Sequence, residues 1–222
     1  MTSSRTPIER DTPPICIIDD DEELCLSLLN LFRSVGLKAN YWTSTQAFLK
    51  ADASCDPKCL ILDVRLPDSS GLDFQDELER MGRDIPIIFI TGHGDIPMTV
   101  RAMKAGAVEF LTKPVREEDL LSAVRAALAR SKATEHEAER FASVRSHYAS
   151  LTSREREVLK YVAAGMMNKQ IASRLGLSEI TVKVHRRNMM TKMKASSLAD
   201  LVRMADSVLA APDNGPSSGV ES

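Results

Sequence analysis

The sequence predicts a doubly wound α/β domain, built on a five-stranded parallel sheet, followed by an all-α helix-turn-helix domain. Three observations support this fold class. Short apolar runs alternate with helical patterns five times in the first half of the chain. Four of these five runs end in polar residues. The second half is helical in pattern throughout and carries a basic block.

The first two strands follow a polar, proline-containing lead, residues 1–13, that we expect to be disordered. Residues 15–18 form a buried strand that ends in Asp19 and Asp20. Apolar residues then recur at helical spacing until Gly36, which ends the first helix. Residues 37–42 alternate as a second strand, and residues 45–51 form a short helix.

The third strand, residues 59–62, is a continuous apolar run that ends on Asp63. Pro67 and Gly71 then break the chain before a third helix. The remaining elements are a strand over residues 85–90 that ends at Thr91, a helix over 96–105, a strand over 107–112 that ends at Lys113, and a long helix from Arg116 onward.

Parallel strands bring their carboxyl ends to one edge of the sheet, where ligands bind. We therefore expect Asp19, Asp20, Asp63, Thr91 and Lys113 to converge. Oxygen ligands without His or Cys suit Mg²⁺, or Mn²⁺, together with phosphate. The alternatives are a surface network of ion pairs, or an Asp63 that only ends a strand or caps the next helix.

Other kinds of site find less support in the sequence. The run Gly92-His93-Gly94 follows a strand, but Pro97 occupies the third glycine position of the dinucleotide fingerprint. The pair Cys55 and Cys59 lacks nearby partners for a zinc site, so we interpret all four cysteines as buried or incidental thiols.

Charge separates the two halves of the chain. Residues 12–130 hold 13 Lys/Arg against 19 Asp/Glu, whereas residues 152–194 hold 10 Lys/Arg against 3 Asp/Glu. This pattern indicates a nucleic-acid surface on the second domain only. No apolar run approaches the roughly 20 residues that span a bilayer, and the N-terminus lacks a signal-peptide core. We expect a cytoplasmic protein with no membrane contact.

The second half predicts four helices after a polar stretch. We place the first domain at residues 14–130, a linker that could continue the preceding helix at 131–147, the second domain at 148–210, and a disordered tail at 211–222. Ser153 is the candidate cap of the first helix, which ends at Gly165. The other helices cover residues 168–175, 181–193 with Ser178 as the N-cap, and 197–209.

The third of these helices is the candidate DNA-reading element. Its spacing separates a charged face from a core face. The charged face holds Lys183, Val184, Arg186 and Arg187, and the core face holds Val182, His185, Met189 and Met193. Arg and Lys can read guanine edges, and Val can contact a thymine methyl group. The alternative is a solvated charged face with no ligand.

These residues together resemble the NarL/FixJ family of two-component response regulators. The set Asp19-Asp20, Asp63, Thr91 and Lys113-Pro114 is similar to the receiver domain, with a flavodoxin/CheY-like fold, and the run from Thr91 to Pro114 looks like the FixJ branch. The match covers residues 14–130. Residues Leu151 to Ala210, including the run from Thr181 to His185, resemble the LuxR-type DNA-binding domain.

The receiver resemblance implies roles for individual residues. Asp63 would accept a phosphoryl group from a histidine kinase, and Lys113 would pair with that phosphate. Thr91 would donate its hydroxyl to it, and Phe110 would turn inward in response. Magnesium would be held by Asp20, Asp63, the backbone carbonyl of Arg65 and, through water, Asp19; the Lys113–Pro114 bond would be cis.

The LuxR-type resemblance implies DNA contacts. Lys183, Val184 and Arg187 would face bases, and Thr181 and Lys169 would contact phosphates. We also assign Arg186 to the DNA-binding set. The fourth helix would carry a dimer contact.

We therefore expect a phosphorylation-switched transcription regulator that forms a homodimer on activation and binds a two-fold DNA operator. RNA polymerase is a further expected partner, and the only chemistry would be self-phosphorylation and slow autodephosphorylation of Asp63. Two alternatives stay open. The receiver could be a phosphorylation-independent dimerisation module, or the chain could be an enzyme that works through an aspartyl phosphate, although Arg65 stands where such enzymes need an acid.

Overall fold

The computed structural model describes residues 15–51, 57–67, 69–92 and 96–209. The predicted disordered lead and tail, and also Cys55, His93 and Gly94, lie outside these residues. The described part divides into two compact units, with the boundary between Thr134 and Glu135.

The first unit is built on a five-stranded, all-parallel sheet, which confirms the predicted fold class. Its strands are β1 Ile15–Ile18, β2 Ala39–Trp42, β3 Cys59–Asp63, β4 Ile87–Thr91 and β5 Glu109–Thr112. Their order in the sheet is β2-β1-β3-β4-β5. The chain adds β2 on one side of β1 and the later strands on the other side. The strand order therefore reverses between β1 and β3, and such folds bind ligands at this point.

Four helices join the strands of this unit, and a fifth begins after β5; together they cover both faces of the sheet. They are α1 Glu22–Ser34, α2 Thr45–Lys50, α3 Gly71–Arg80, α4 Ile96–Lys104 and α5 Glu117–Ala149. The start of α1 is fixed by Asp21, whose side chain accepts a hydrogen bond from Leu24 N. This bond satisfies one of the free N–H groups in the first turn.

The core lies in two layers because successive strand residues point to opposite faces. Cys16 and Ile18 of β1 pack in one layer with residues of α3 and α4. Ile15 and Ile17 pack in the other with α1 and α5. Both layers are fully enclosed, which explains why β1, β3 and β4 read as continuous apolar runs in the sequence.

The strands β4 and β5 each begin two residues later than predicted. The predicted β4 began at Ile85, but the strand begins after Pro86, which has no N–H to donate to a neighbouring strand. The predicted β5 began at Ala107, but Ala107 N bonds Ala102 O and so ends α4 instead. Ile85 and Ala107 therefore form hydrogen bonds with nearby residues of the preceding turn and are not part of the strands.

The second unit contains four further helices after the last part of α5. They are α6 Ser153–Ala163, α7 Asn168–Leu175, α8 Glu179–Lys192 and α9 Leu198–Leu209. Their shared core includes Val158, Leu159, Ile171, Val182 and Leu201. Val144 and Tyr148 of α5 pack against it. The short α7, the turn at Gly176 and the basic α8 form the predicted helix-turn-helix.

The cap of α6 corrects one prediction. The N-cap is Thr152 and not Ser153. Thr152 and Glu155 form a capping box, in which each side chain bonds the other residue's backbone N–H. Glu155 is buried and also accepts a 2.7 Å hydrogen bond from Lys192 Nζ. Thr152 is the N-cap because Glu155, three residues later, completes the capping box.

The predicted linker, residues 131–147, lies within α5, which runs unbroken for 33 residues. The role of this stretch as a linker between two domains stays a prediction. Among the described residues, the helices are too short or too polar for any of them to traverse a lipid bilayer.

Candidate functional site

Four strand ends bring charged and polar groups to one edge of the sheet, as predicted. Asp19 directly follows β1, Asp63 is the last residue of β3, and Lys113 directly follows β5. The Lys113 ammonium nitrogen lies 2.7 Å from Asp19 Oδ2 and 2.6 Å from Asp63 Oδ2. The Asp19 and Asp63 side chains are only 3% and 7% exposed. One ammonium group thus bridges two buried carboxylates.

The three carboxylates fit a hard divalent cation. Asp19, Asp20 and Asp63 each offer one oxygen, and these oxygens lie within 4.8 Å of one another. Asp20 is exposed, so the group opens to solvent on one side. Mg²⁺ is bound by a few carboxylates and keeps several waters, which this open, all-oxygen set allows. The donor set therefore fits the predicted cofactor.

Electrostatics at the edge reflect crowding of negative charge. Burial raises the pKa of Asp19, and Asp63 adds to this effect, while the hydrogen bond from Lys113 offsets it only in part. For Lys113, burial lowers the pKa, but the hydrogen bonds to Asp19 and Asp63 outweigh it and raise the pKa above its ordinary value. Lys113 therefore stays charged, and the edge would gain from a second cation.

Thr91 and Phe110 occupy neighbouring strands beside this edge. Asp63 pairs in register with Ile90, so Thr91 lies one residue beyond it. Thr91 is fully buried, and its backbone oxygen accepts a 2.8 Å hydrogen bond from Lys113 N. Phe110 is partly buried, with its ring centroid 6.1 Å from that of Phe89. The Lys113–Pro114 peptide bond is cis, as predicted.

The loop after β3 holds the Asp63 side chain by backbone contacts. Arg65 N donates to Asp63 Oδ1 at 2.9 Å, and Gly71 N donates to Val64 O at 2.9 Å. A Cβ atom on Gly71 would lie 2.2 Å from the backbone oxygen of Asp63. Sequence reasoning identified Gly71 only as a chain breaker. Its lack of a side chain lets α3 begin directly against Asp63.

The second unit exposes one face of α8 and buries the other. Lys183, Val184 and Arg187 are exposed, as predicted for groove contact. Val182 and Met189 are completely buried on the opposite face. The helix begins at the N-cap Ser178, whose side chain accepts a hydrogen bond from Thr181 N.

Two other predicted DNA-contacting side chains make bonds within the protein. Arg186 is half-buried, and its Nη1 donates to Asn168 Oδ1 at 2.9 Å. The Thr181 and Ser178 hydroxyl oxygens are 2.8 Å apart. Lys169, on α7, is exposed. The structure therefore separates Arg186 from the exposed Lys183, Val184 and Arg187, because one residue turns a helix by about 100°.

Comparison with known protein families accounts for both units. Residues 15–125 match the family described as "Response regulator receiver domain". Residues 149–205 match "Bacterial regulatory proteins, luxR family". The chain belongs to the response regulators. It joins a receiver domain to a LuxR-type DNA-binding domain and is a two-component transcription regulator.

Related response regulators share this arrangement over most of their length. Nodulation protein W of Bradyrhizobium diazoefficiens is 52% identical over 194 residues, which cover 87% of this chain and 86% of that protein. Response regulator protein TodT of Pseudomonas putida is 52% identical over 192 residues, 86% of this chain and 85% of that protein. Transcriptional regulatory protein FixJ of Azorhizobium caulinodans is 45% identical, covering 86% and 91%.

Solved structures show the same fold. The response regulator StyR aligns with a TM-score of 0.76 and 43% identity, over 88% of this chain and 99% of StyR. Full-length FixJ from B. japonicum aligns with a TM-score of 0.54 and 36% identity, over 90% of this chain and 98% of FixJ. TodT, FixJ and StyR carry the names of regulators.

In this response regulator, sequence reasoning missed three structural partners. Asn168 binds Arg186, Glu155 binds Lys192, and Thr45 and Ser69 approach to 3.0 Å between their hydroxyl oxygens. An acid three residues after a threonine is typical of a capping box, so the sequence could have indicated the bond between Glu155 and Thr152. All three missed contacts join distant parts of the chain, so no local pattern could indicate them.

Proposed function

We propose that Asp63 accepts a phosphoryl group from a histidine kinase and that this modification switches DNA binding. The observation that supports the proposal is the convergence of Asp19, Asp20, Asp63 and Lys113, from three different strand ends. A buried acid that already bonds a lysine at 2.6 Å has a cation ready for the new phosphate.

The chemistry follows from these groups. A carboxylate oxygen of Asp63 attacks the phosphorus of phosphohistidine, a P–O bond forms, and the P–N bond breaks to release the imidazole. Lys113 keeps its proton and turns from the carboxylate to the phosphoryl oxygens. Mg²⁺ or Mn²⁺, held by Asp20, Asp63, the Arg65 carbonyl and, through water, Asp19, would offset the negative charge of the incoming group.

The response would pass through Thr91 and Phe110. Thr91 is buried at the end of β4, and its backbone already bonds Lys113, so a hydroxyl shift toward the phosphate alters packing next to β5. Phe110, half-buried on β5 against Phe89, would then move inward. Such a change converts a local charge event into an altered surface.

The altered surface would favour a homodimer, and two copies of α8 would bind a roughly two-fold operator. Lys183, Val184 and Arg187 would contact bases, and Lys169 and Thr181 would contact phosphates. Arg186 would also belong to the DNA-binding set, and its guanidinium donates to Asn168 of α7 in this structure. The protein would work in the cytoplasm, where a bacterial chromosome lies, and could engage RNA polymerase there.

The phosphorylation step is tested by mass spectrometry of the intact chain after incubation with acetyl phosphate and Mg²⁺. We expect one phosphoryl adduct in the wild type and none in Asp63→Asn. Asp84→Asn is a matched control, because Asp84 is an exposed acid that precedes β4 at the other edge of the sheet. An adduct that survives Asp63→Asn would refute the assignment.

The switch is tested by DNA affinity before and after phosphorylation. The DNA is a duplex selected by the wild type from a randomised pool. We expect the phosphorylated chain to bind this duplex more tightly than Asp63→Ala does under the same conditions. Equal affinity for the two proteins would instead support a receiver that acts only as a dimerisation module. Turnover of many small phosphate esters per protein molecule would support an aspartyl-phosphate enzyme.

A further inference from the structure

Two large apolar side chains are exposed on successive turns of α8. Ile180 is 74% exposed and Val184 is 51% exposed. On the opposite face, Val182, Met189 and the following Met193 are completely buried. An isoleucine this exposed contributes nothing to the core of the unit, and together with Val184 it forms an apolar pair on the outward face of α8.

Helix geometry puts Ile180 near the middle of the outward face. At 3.6 residues per turn, Ile180, Val184 and Arg187 differ by four and three residues and so form one stripe. Lys183 flanks this stripe and is also exposed. The direction opposite the buried Val182 falls between Ile180 and Val184. Ile180 therefore points outward as directly as the predicted base-contacting residues do.

Ile180 is also the second residue of the helix, directly after the N-cap Ser178 and Glu179. In helix-turn-helix proteins, the first residues of the recognition helix are those that contact base edges. An aliphatic side chain can neither donate to a phosphate nor read a hydrogen-bonding pattern. In the major groove, the apolar group available to it is the C5-methyl group of thymine.

We propose that Ile180 is a specificity-determining residue that contacts a thymine methyl group in each operator half-site. The proposal rests on the DNA binding described above and adds a fourth base-reading position to Lys183, Val184 and Arg187. Four residues of helix rise about 6 Å, close to two base steps of about 3.4 Å. Ile180 and Val184 would thus contact methyl groups about two base pairs apart.

The surrounding charge favours DNA over a protein partner. Lys183 and Arg187 are exposed on the same side of α8, and residues 152–194 carry 10 Lys/Arg against 3 Asp/Glu. The apolar pair Ile180 and Val184 lies beside these cations. This combination suits DNA, whose phosphates are negative and whose major groove carries thymine methyl groups. A docking site for a hydrophobic protein surface would gain nothing from these charges.

The experiment begins with the full-length chain, both untreated and treated with acetyl phosphate, and selects duplexes from a randomised pool. In the selected sequence, each thymine is then replaced singly by deoxyuridine, which removes only the methyl group. We expect two thymines in each half-site, one facing Ile180 and one facing Val184, at which a single replacement weakens wild-type binding about four-fold, as for the loss of one buried methyl group.

The variant Ile180→Ala completes a double-mutant cycle. It should bind the thymine duplex several-fold more weakly than the wild type. It should also lose its sensitivity to deoxyuridine at one of the two thymines and keep it at the thymine that faces Val184. Leu26→Ala is the control, since it truncates an aliphatic residue that is 51% exposed on α1 of the other unit. It should retain the wild-type pattern at every position. Because Ile180 is exposed, its truncation should leave the fold intact.

The outcomes separate this inference from the function it rests on. If the wild type selects a sequence but Ile180→Ala selects the same one with the same deoxyuridine sensitivity, the role of Ile180 is refuted and DNA recognition stands. If the wild type enriches no sequence in either state, both are refuted. If Ile180→Ala binds DNA normally but fails to activate transcription, Ile180 contacts a protein.

Discussion

Replacing Gly71 with alanine tests how tightly the loop after β3 is held against Asp63. An alanine at the unstrained start of a helix ordinarily stabilises a protein by about 0.4–1 kcal/mol, because it restricts the unfolded chain. Here the added Cβ would lie 2.2 Å from the Asp63 carbonyl oxygen and 3.1 Å from Leu62 Cγ. Backbone atoms must therefore move apart by about 1 Å to reach ordinary contact.

The clash reverses the sign of the expected effect. Overpacking in a rigid region costs about 1–3 kcal/mol, so we expect Gly71→Ala to lower the free energy of unfolding of the first unit by about that much. Since the strain falls on the backbone of Asp63 and the loop that includes Arg65, Mg²⁺ affinity and phosphorylation by acetyl phosphate should also fall.

The assay is urea unfolding of the full chain, followed by tryptophan fluorescence. Trp42 is the only tryptophan in the sequence and lies in β2, packed edge-on against Phe48 at 5.3 Å, so it reports the first unit alone. Gly92→Ala is the matched control, because among the described residues no atom lies within 4 Å of its added Cβ. A Gly71→Ala protein as stable as the wild type would refute the close packing.

Three further perturbations test other parts of the structure. Asp20→Asn removes an exposed carboxylate that we propose as a Mg²⁺ ligand. Saturating Mg²⁺ should therefore stabilise the wild type by about 2–3 kcal/mol in the Trp42 assay and should stabilise this variant far less. Glu155→Gln should cost about 1–3 kcal/mol at neutral pH, measured as lost amide protection of α6 in hydrogen exchange. Lys183→Ala should weaken operator binding by about 1–3 kcal/mol and relax the preference at one base pair, seen by repeating the sequence selection.

The Glu155 effect carries a definite pH dependence. Burial raises the pKa of Glu155, but hydrogen bonds from Lys192 and Thr152 outweigh it and lower the pKa below its ordinary value of 4.5. The stabilisation is thus complete above pH 4.5 and is lost as the pH falls through the lower native pKa. Glu157→Gln, in an exposed pair with Arg154, should change protection little.

Each of these three expectations has a result that contradicts it. Equal Mg²⁺ stabilisation of wild type and Asp20→Asn would exclude that acid as a ligand. A Glu155→Gln protein that loses protection no more than Glu157→Gln would show that the capping box contributes little. An unchanged selected sequence with Lys183→Ala would mean that this side chain contacts no base.

Local sequence patterns predicted most of the first unit. Cys59 to Leu62 reads as a buried strand because the sheet is covered on both faces, and Asp63 ends it where parallel strands end at one edge. The predicted N-cap of α6 was wrong because two neighbouring residues can both cap a helix. Thr152 and Ser153 are both good caps, and only the reciprocal bond with Glu155 selects the first.

The amino-acid sequence alone determined the alternation of strands and helices, the acidic and basic halves, and the strand-end residues Asp63 and Lys113, because these depend on periodicity and on residue type. The tertiary structure decided which side chains meet. It set Lys113 between Asp19 and Asp63, brought Gly71 against the Asp63 backbone, and turned Arg186 toward Asn168. Contacts between residues far apart in the chain depend on packing at the scale of one ångström, which no local pattern records.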